Sequence, residues 1–107
     1  MLDMLPAETF EPSKTFLEPA CGDGRFLVAI LCRKFQRCKS RSDFSVALES
    51  VYGMDIQQDN VQETIGNILG LCRQWFSPSK ADIETLNRHI MVADSLKVMA
   101  LLEEYGD

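Results

Sequence analysis

A chain of 107 residues holds one domain at most. Its 46% hydrophobic and 25% charged residues are ordinary for a globular protein, which excludes wholesale disorder, and its longest apolar run, Phe26 to Cys32, is too short to span a bilayer. A net charge of −5 argues against this chain gripping nucleic-acid phosphates on its own.

The chain in order begins with Met1 to Leu5, which reads as the end of a helix stopped by Pro6. The stretch is short and acidic, unlike a signal peptide, so a cytoplasmic location is expected. Ala7 to Lys14, with Pro12 and Ser13, reads as a loop. Thr15 to Ala20 is the first predicted strand, and Pro19 ends its ladder pairing. A tight Gly22-Asp23-Gly24 turn follows, and the two glycines let the backbone come close to a ligand. From Gly24 to about Lys39, apolar residues at 27, 30 or 31, 35 and 38 recur at helical spacing.

Residues 25–41 carry Arg25, Arg33, Lys34, Arg37, Lys39 and Arg41 and no acid. These read as cations dressing the last turns of a helix, where they complement the macrodipole, in preference to a nucleic-acid contact. Ser40 to Ser45 is polar and predicts a loop; Val46 to Ile56 predicts the second strand, ending in Gly53-Met54-Asp55-Ile56. A second helix places Val61, Ile65, Ile68, Cys72 and Trp75 or Phe76 on one face, with Gly66 and Gly70 permitting close packing. Ser77-Pro78-Ser79 breaks it, and Ser79 with Asp82 forms a capping-box pattern for a short helix through Arg88. His89 to Ala93 is the third predicted strand, and Asp94-Ser95 caps a last helix from about Leu96 to Glu104. The four cysteines, at 21, 32, 38 and 72, contain no C-x-x-C pair and sit at apolar positions, so reduced core thiols are expected and a zinc site is not. Strands alternating with helices predict an α/β fold, with a parallel sheet and right-handed crossovers, half of a doubly wound architecture.

Each predicted strand ends in an acid: Glu18, Asp55 and Asp94. In a parallel sheet these ends share one edge, so the acids converge on one crevice. Singly, Asp55 and Asp94 read equally well as helix N-caps, and Glu18 as a partner for a nearby arginine. Together, three acids and a glycine turn would repel a pyrophosphate and suit a ligand with a sulfonium or amine, ribose hydroxyls and a purine amino group, a set that S-adenosylmethionine combines.

Glu18-Pro19-Ala20-Cys21-Gly22-Asp23-Gly24-Arg25-Phe26 resembles the first motif of the DNA methyltransferases that methylate amino groups, usually Asp-Pro-Ala-Cys-Gly-x-Gly-x-Phe. Gly53-Met54-Asp55-Ile56 is similar to that family's second-strand motif and Ala93-Asp94-Ser95-Leu96 to its third. The resemblance covers nearly the whole chain and points to the adenine-specific, restriction-modification type. It implies a partial Rossmann-like methyltransferase fold of about three parallel strands with flanking helices, and S-adenosylmethionine as cofactor. The implied cofactor-binding residues are Glu18, Pro19, Ala20, Cys21, Gly22, Gly24, Asp55, Ile56, Asp94 and Leu96. Glu18 and the Gly22–Gly24 backbone would hold the methionine moiety and Asp55 the ribose, with Ile56 packing on the adenine. Asp94 would bond the adenine amino group, Leu96 would border the base, and Phe26 would be structural.

The family's Asn-Pro-Pro-Tyr catalytic string does not occur in these residues, where proline stands only at 6, 12, 19 and 78. That string polarises and stacks a flipped adenine, so bound cofactor here would lack an oriented acceptor. The expected activity is therefore cofactor binding without methyl transfer by this chain alone. In the resembled topology a fourth strand pairs with the first, and its absence here predicts an open first-strand edge inviting self-association or a partner chain. DNA would be met only indirectly, through such a partner. Two other readings stand beside this one. The first is a non-catalytic remnant or protein-interaction module of the same fold. The second is a dinucleotide-binding domain, against which the turn lacks the third glycine of G-x-G-x-x-G and Asp55 lies too far downstream.

Overall fold

The computed structural model describes residues 5–105. The helix end expected over Met1 to Leu5 falls almost wholly outside them. Three strands, β1 (Phe16–Glu18), β2 (Val51–Asp55) and β3 (Ile90–Val92), form a parallel sheet in the order β1-β2-β3. The helices are α1 (Arg25–Phe35), α2 (Arg41–Ser50), α3 (Gln58–Trp75), α4 (Lys80–His89) and α5 (Ser95–Tyr105). The fold is thus α/β with a three-stranded parallel sheet flanked by helices. Ala7–Phe10, expected as loop, forms a short 3-10 turn that buries Phe10.

Register explains which sheet face is covered. Phe16 pairs with Val51, and Gly53 with both Glu18 and Ile90, so Phe16, Val51, Gly53 and Ile90 share one face. On that face Val51 and Ile90 are buried with Leu27, Ile30 and Leu31 of α1 and Ile68 of α3. A Cβ on Gly53 would stand 2.8 Å from Leu27 Cδ1, so the sheet needs glycine there for α1 to seat. Leu17 and Met91, on the opposite face, are exposed. Among the described residues no strand pairs with the outer edge of β1.

One predicted element is corrected. Residues 41–50, expected as a loop followed by the first half of a strand, form α2, and β2 begins only at Val51. The apolar run Val46-Ala47-Leu48 looked like strand. In fact Phe44, Ala47 and Leu48 follow helical spacing, with Ala47 and Leu48 buried and Phe44 packed against the core. The Asp43 carboxylate accepts from the N–H groups of Ser40 (3.2 Å) and Lys39 (2.8 Å), fixing the helix start. Several other bounds shift: β1 covers only Phe16–Glu18, α1 stops at Phe35, and His89, expected in β3, closes α4. The predicted Ser79–Asp82 capping box is present at α4.

A second correction concerns Gly66 and Gly70. A Cβ at either would meet nothing within 4 Å, so these glycines serve no close packing.

The basic stretch is spent inside the molecule. Lys34 is fully buried and donates to the carbonyls of Glu11 (2.8 Å) and Lys14 (2.6 Å), tying the segment before β1 to α1. Arg37 pairs with Glu11, Arg33 lies 5.2 Å from the Phe10 ring centroid, and Arg41 bonds Asp82 at 2.7 Å. Burial pushes the Lys34 ammonium down to about 8, with the charges of Cys38 and Glu11 opposing the shift. The unfolded chain therefore binds more protons than the native one between pH 8 and 10.5, and stability from this group rises across that window. Lys34→Met keeps the side-chain volume and removes the titration. Relative to that variant, wild type should gain up to about 3 kcal/mol between pH 8 and 10.5, read from urea unfolding across the range. A constant difference would mean that Lys34 titrates normally.

Candidate functional site

The carboxyl ends of the three strands meet at a cleft of about 270 Å³. Its walls are mostly apolar, from Pro19, Ala20, Ile56, Ala93 and Leu96, and Asp55, Asp94 and Ser95 also line it. The fold therefore assembles Pro19, Ala20, Asp55, Ile56, Asp94 and Leu96 of the predicted set. Glu18, Cys21, Gly22 and Gly24 do not line the cleft. They form the strand end and turn that stand behind it. Its volume lies just under the usual range for ligand sites, about 300–1,000 Å³. Two larger depressions, of 460 Å³ between α1 and α3 and 510 Å³ beside residues 8–15, lie away from this sheet edge.

The turn is built by backbone conformation and by partners on other elements. Gly22 (φ +55°) and Gly24 (φ +87°) are left-handed, and Gly24 N–H donates to Cys21 O at 2.8 Å. Cys21 N–H donates to Met54 O at 2.9 Å, and Gly22 N–H to Asp55 Oδ2 at 3.0 Å, so the turn is stitched to the end of β2. Three side chains of α3 complete the frame. Asn60 donates to Asp55 Oδ1 (3.0 Å), Thr64 to Gly22 O (3.0 Å) and Asn67 to Asp23 O (2.8 Å). Spacings of four and three put them on one helix face. Thr64 is fully buried, and its Cα lies 2.9 Å from where a Cβ on Gly24 would stand. The sequence reading missed all three. Asn60, Thr64 and Asn67 sit beside the apolar Val61, Ile65 and Ile68, and a polar stripe at helical spacing was the available signal.

The carboxyls do double duty. Asp55 Oδ1 accepts from Gln57 N–H at 2.9 Å as well as from Asn60. Hydrogen bonds from Gln57 N–H first, then Asn60, hold the Asp55 carboxyl below the usual range against opposing burial, so it is charged at neutral pH. With about four lone-pair positions on a carboxylate, the bonds from Gln57, Asn60 and Gly22 leave room for a further donor. Asp94 Oδ1 accepts from Leu96 N–H (3.0 Å) and Lys97 N–H (3.4 Å), the N-cap of α5. Its Oδ2 has no partner among the described residues. Asp94 is thus a helix cap and Asp55 a brace between the turn and the start of α3, each with acceptor capacity left over. Glu18 is turned back to accept from Ala20 N–H at 3.3 Å and, among the described residues, pairs with no arginine. Burial raises the Cys21 thiol, which disfavours its thiolate, and Phe26 packs on Phe16 with centroids 5.7 Å apart.

No protein-family model, curated protein or solved structure matches the chain. What the cleft can take is set by its chemistry.

Its chemistry disfavours a phosphate. From Ala20 to Arg25, only the Asp23 N–H lacks a partner among the described residues, so the turn offers no row of free donors. The anionic Asp55 would repel phosphate at the cleft. Apolar walls between two hydrogen-bond acceptors suit a flat, amine-bearing ring and hydroxyl donors. Among the described residues no group of three or more His, Cys, Asp or Glu is placed to hold a metal ion, and no helix is long and apolar enough to cross a membrane.

Proposed function

We propose that the chain is an S-adenosylmethionine-binding unit of a DNA adenine methyltransferase-like protein, with a partial Rossmann-like methyltransferase fold. It binds the cofactor and does not transfer the methyl group by itself. The observation that carries this reading is the cleft at the sheet edge, where Asp55 and Asp94 flank walls that include Ile56 and Leu96. The motif resemblance is independent of that geometry and assigns the same residues. Asp55 takes the ribose hydroxyls, Ile56 and Leu96 sandwich the adenine, and Asp94 accepts from its amino group. The turn from Glu18 to Gly24 places the methionine end.

The open outer edge of β1 takes an added strand, from a second copy or from a partner chain, and only a different chain would bring the acceptor machinery that these residues lack. DNA reaches the site only through such a partner. The exposed Leu17 and Met91 on the open sheet face, together with Leu96, Met99, Leu101 and Leu102 on α5, favour a second reading, a protein-interaction module that retains the fold.

Calorimetry separates the two. S-adenosylmethionine and S-adenosylhomocysteine should bind at micromolar concentrations. Ile56 is 67% exposed, so Ile56→Asp leaves the fold intact. It should nonetheless weaken binding at least about tenfold, since burying a charge against the adenine costs more than about 1.4 kcal/mol. Absence of heat at millimolar ligand would leave the interaction module as the better reading.

A further inference from the structure

We infer that α3 is the positioning element of the cleft, pre-forming the glycine turn and the Asp55 carboxylate through Asn60, Thr64 and Asn67 before any ligand arrives. The turn and the end of β2 belong to different segments of the chain, yet both are fixed by side chains from one face of one helix. Asn60 orients the carboxylate that takes the Gly22 N–H. Thr64 holds the Gly22 carbonyl, and Asn67 the next carbonyl, that of Asp23. The left-handed Gly24 permits this, because any Cβ there would collide with Thr64 and push α3 off the turn.

Two features separate positioning from packing. Asn67 is exposed and adds nothing to the core, so its bond to Asp23 O has no packing purpose. Thr64 is buried in a position that valine would fill equally well, and its hydroxyl is committed to the turn, 3.0 Å from Gly22 O and 3.5 Å from Cys21 Sγ. A loop whose carbonyls are tied back to a helix cannot swing into the cleft, so a ligand meets a finished wall and spends little affinity on ordering it.

The inference rests on the cleft being a binding site, but its first test needs no ligand. Backbone amide hydrogen exchange in the apo protein should show the Gly22 and Gly24 amides protected. Asn67→Ala should speed their exchange about threefold and Thr64→Val about tenfold, the range set by a net hydrogen bond of about 0.5–1.5 kcal/mol. The core amides of Ile30, Leu31 and Leu48 should stay unchanged. Acceleration spread evenly over the core, or no acceleration at the turn, would overturn the positioning role. In the second test, S-adenosylmethionine should bind Thr64→Val about tenfold more weakly than wild type, and bound ligand should restore protection at Gly22 and Gly24. If wild type binds no S-adenosylmethionine, the functional proposal fails while the exchange result still decides the role of α3. If wild type binds and both variants bind equally well, the positioning role fails and the functional proposal stands.

Discussion

Gly24→Ala is expected to destabilise the fold by about 2–5 kcal/mol and to abolish ligand binding. Two costs add. A left-handed φ of +87° costs a non-glycine residue about 1–2 kcal/mol. The new Cβ would also lie 2.8 Å from Thr64 Cγ2 and 2.9 Å from Thr64 Cα. One neighbour is a side-chain methyl on a buried residue and the other is helix backbone, so neither can yield by rotation. Forcing them apart adds about 1–3 kcal/mol. For a domain of this size each kcal/mol lowers Tm by about 4–8 °C, so melting should fall by about 8 °C or more. Gly66→Ala is the control: its Cβ meets nothing within 4 Å on an exposed helix face, and the same chemical change should stabilise by about 0.5–1 kcal/mol. Circular dichroism melts of the two variants give opposite signs if the turn geometry is right. A Gly24→Ala protein that melts with wild type would show that α3 does not pack on the turn.

That contrast marks what the residues disclosed and what they hid. The glycine turn and the acids at the ends of β2 and β3 are local patterns of adjacent residues, and they could be read without knowing what packs where. The parallel order followed from alternating strand and helix. α2 was missed because Val46-Ala47-Leu48 is short, apolar and led by a β-branched residue, a composition that suits either element. Its identity came from Phe44, which shares a helical face with Ala47 and Leu48, and from the Ser40–Asp43 start signal. Asn60, Thr64 and Asn67 were hidden for a different reason. Their role exists only once α3 lies across the turn, at sequence separations of 5, 42 and 44 residues. Lys34 shows the same limit, since a lysine in a basic run gives no sign that its ammonium is buried against two carbonyls.

Asp82 should prove the most stabilising polar residue in the fold, with Asp82→Ala costing about 2–4 kcal/mol. It has three partners on two segments. Its Oδ2 accepts from Ser79 N–H at 2.9 Å and from Arg41 Nη2 at 2.7 Å, and its Oδ1 accepts from Ser45 Oγ at 2.8 Å. It thus caps α4 and holds α2 against it. Arg41 in turn donates to Ser77 O at 3.0 Å and lies 4.4 Å from the Phe76 ring centroid, so the loop after α3 joins the same hub. Loss of its half of the capping box accounts for up to about 1 kcal/mol, and loss of the charge-assisted bonds for about 1.5–3 kcal/mol. The Asp82 side chain is only 5% exposed against 46% for Arg41, so the carboxylate is the member that depends on its partners. Burial works against its charge, yet the bonds from Ser79, Arg41 and Ser45 hold it down to about 2. A depressed carboxylate stabilises the fold above its unfolded value of 3.8, and that contribution drains away as pH falls from there to about 2. The shift corresponds to about 2.5 kcal/mol. Acid unfolding of wild type should therefore steepen between pH 4 and 2, and Asp82→Asn should lose stability at neutral pH while flattening that limb. Parallel acid limbs for the two proteins would place the acid sensitivity elsewhere. Arg41→Ala should cost less than Asp82→Ala, because Ser45 and Ser79 still satisfy the carboxylate it leaves behind.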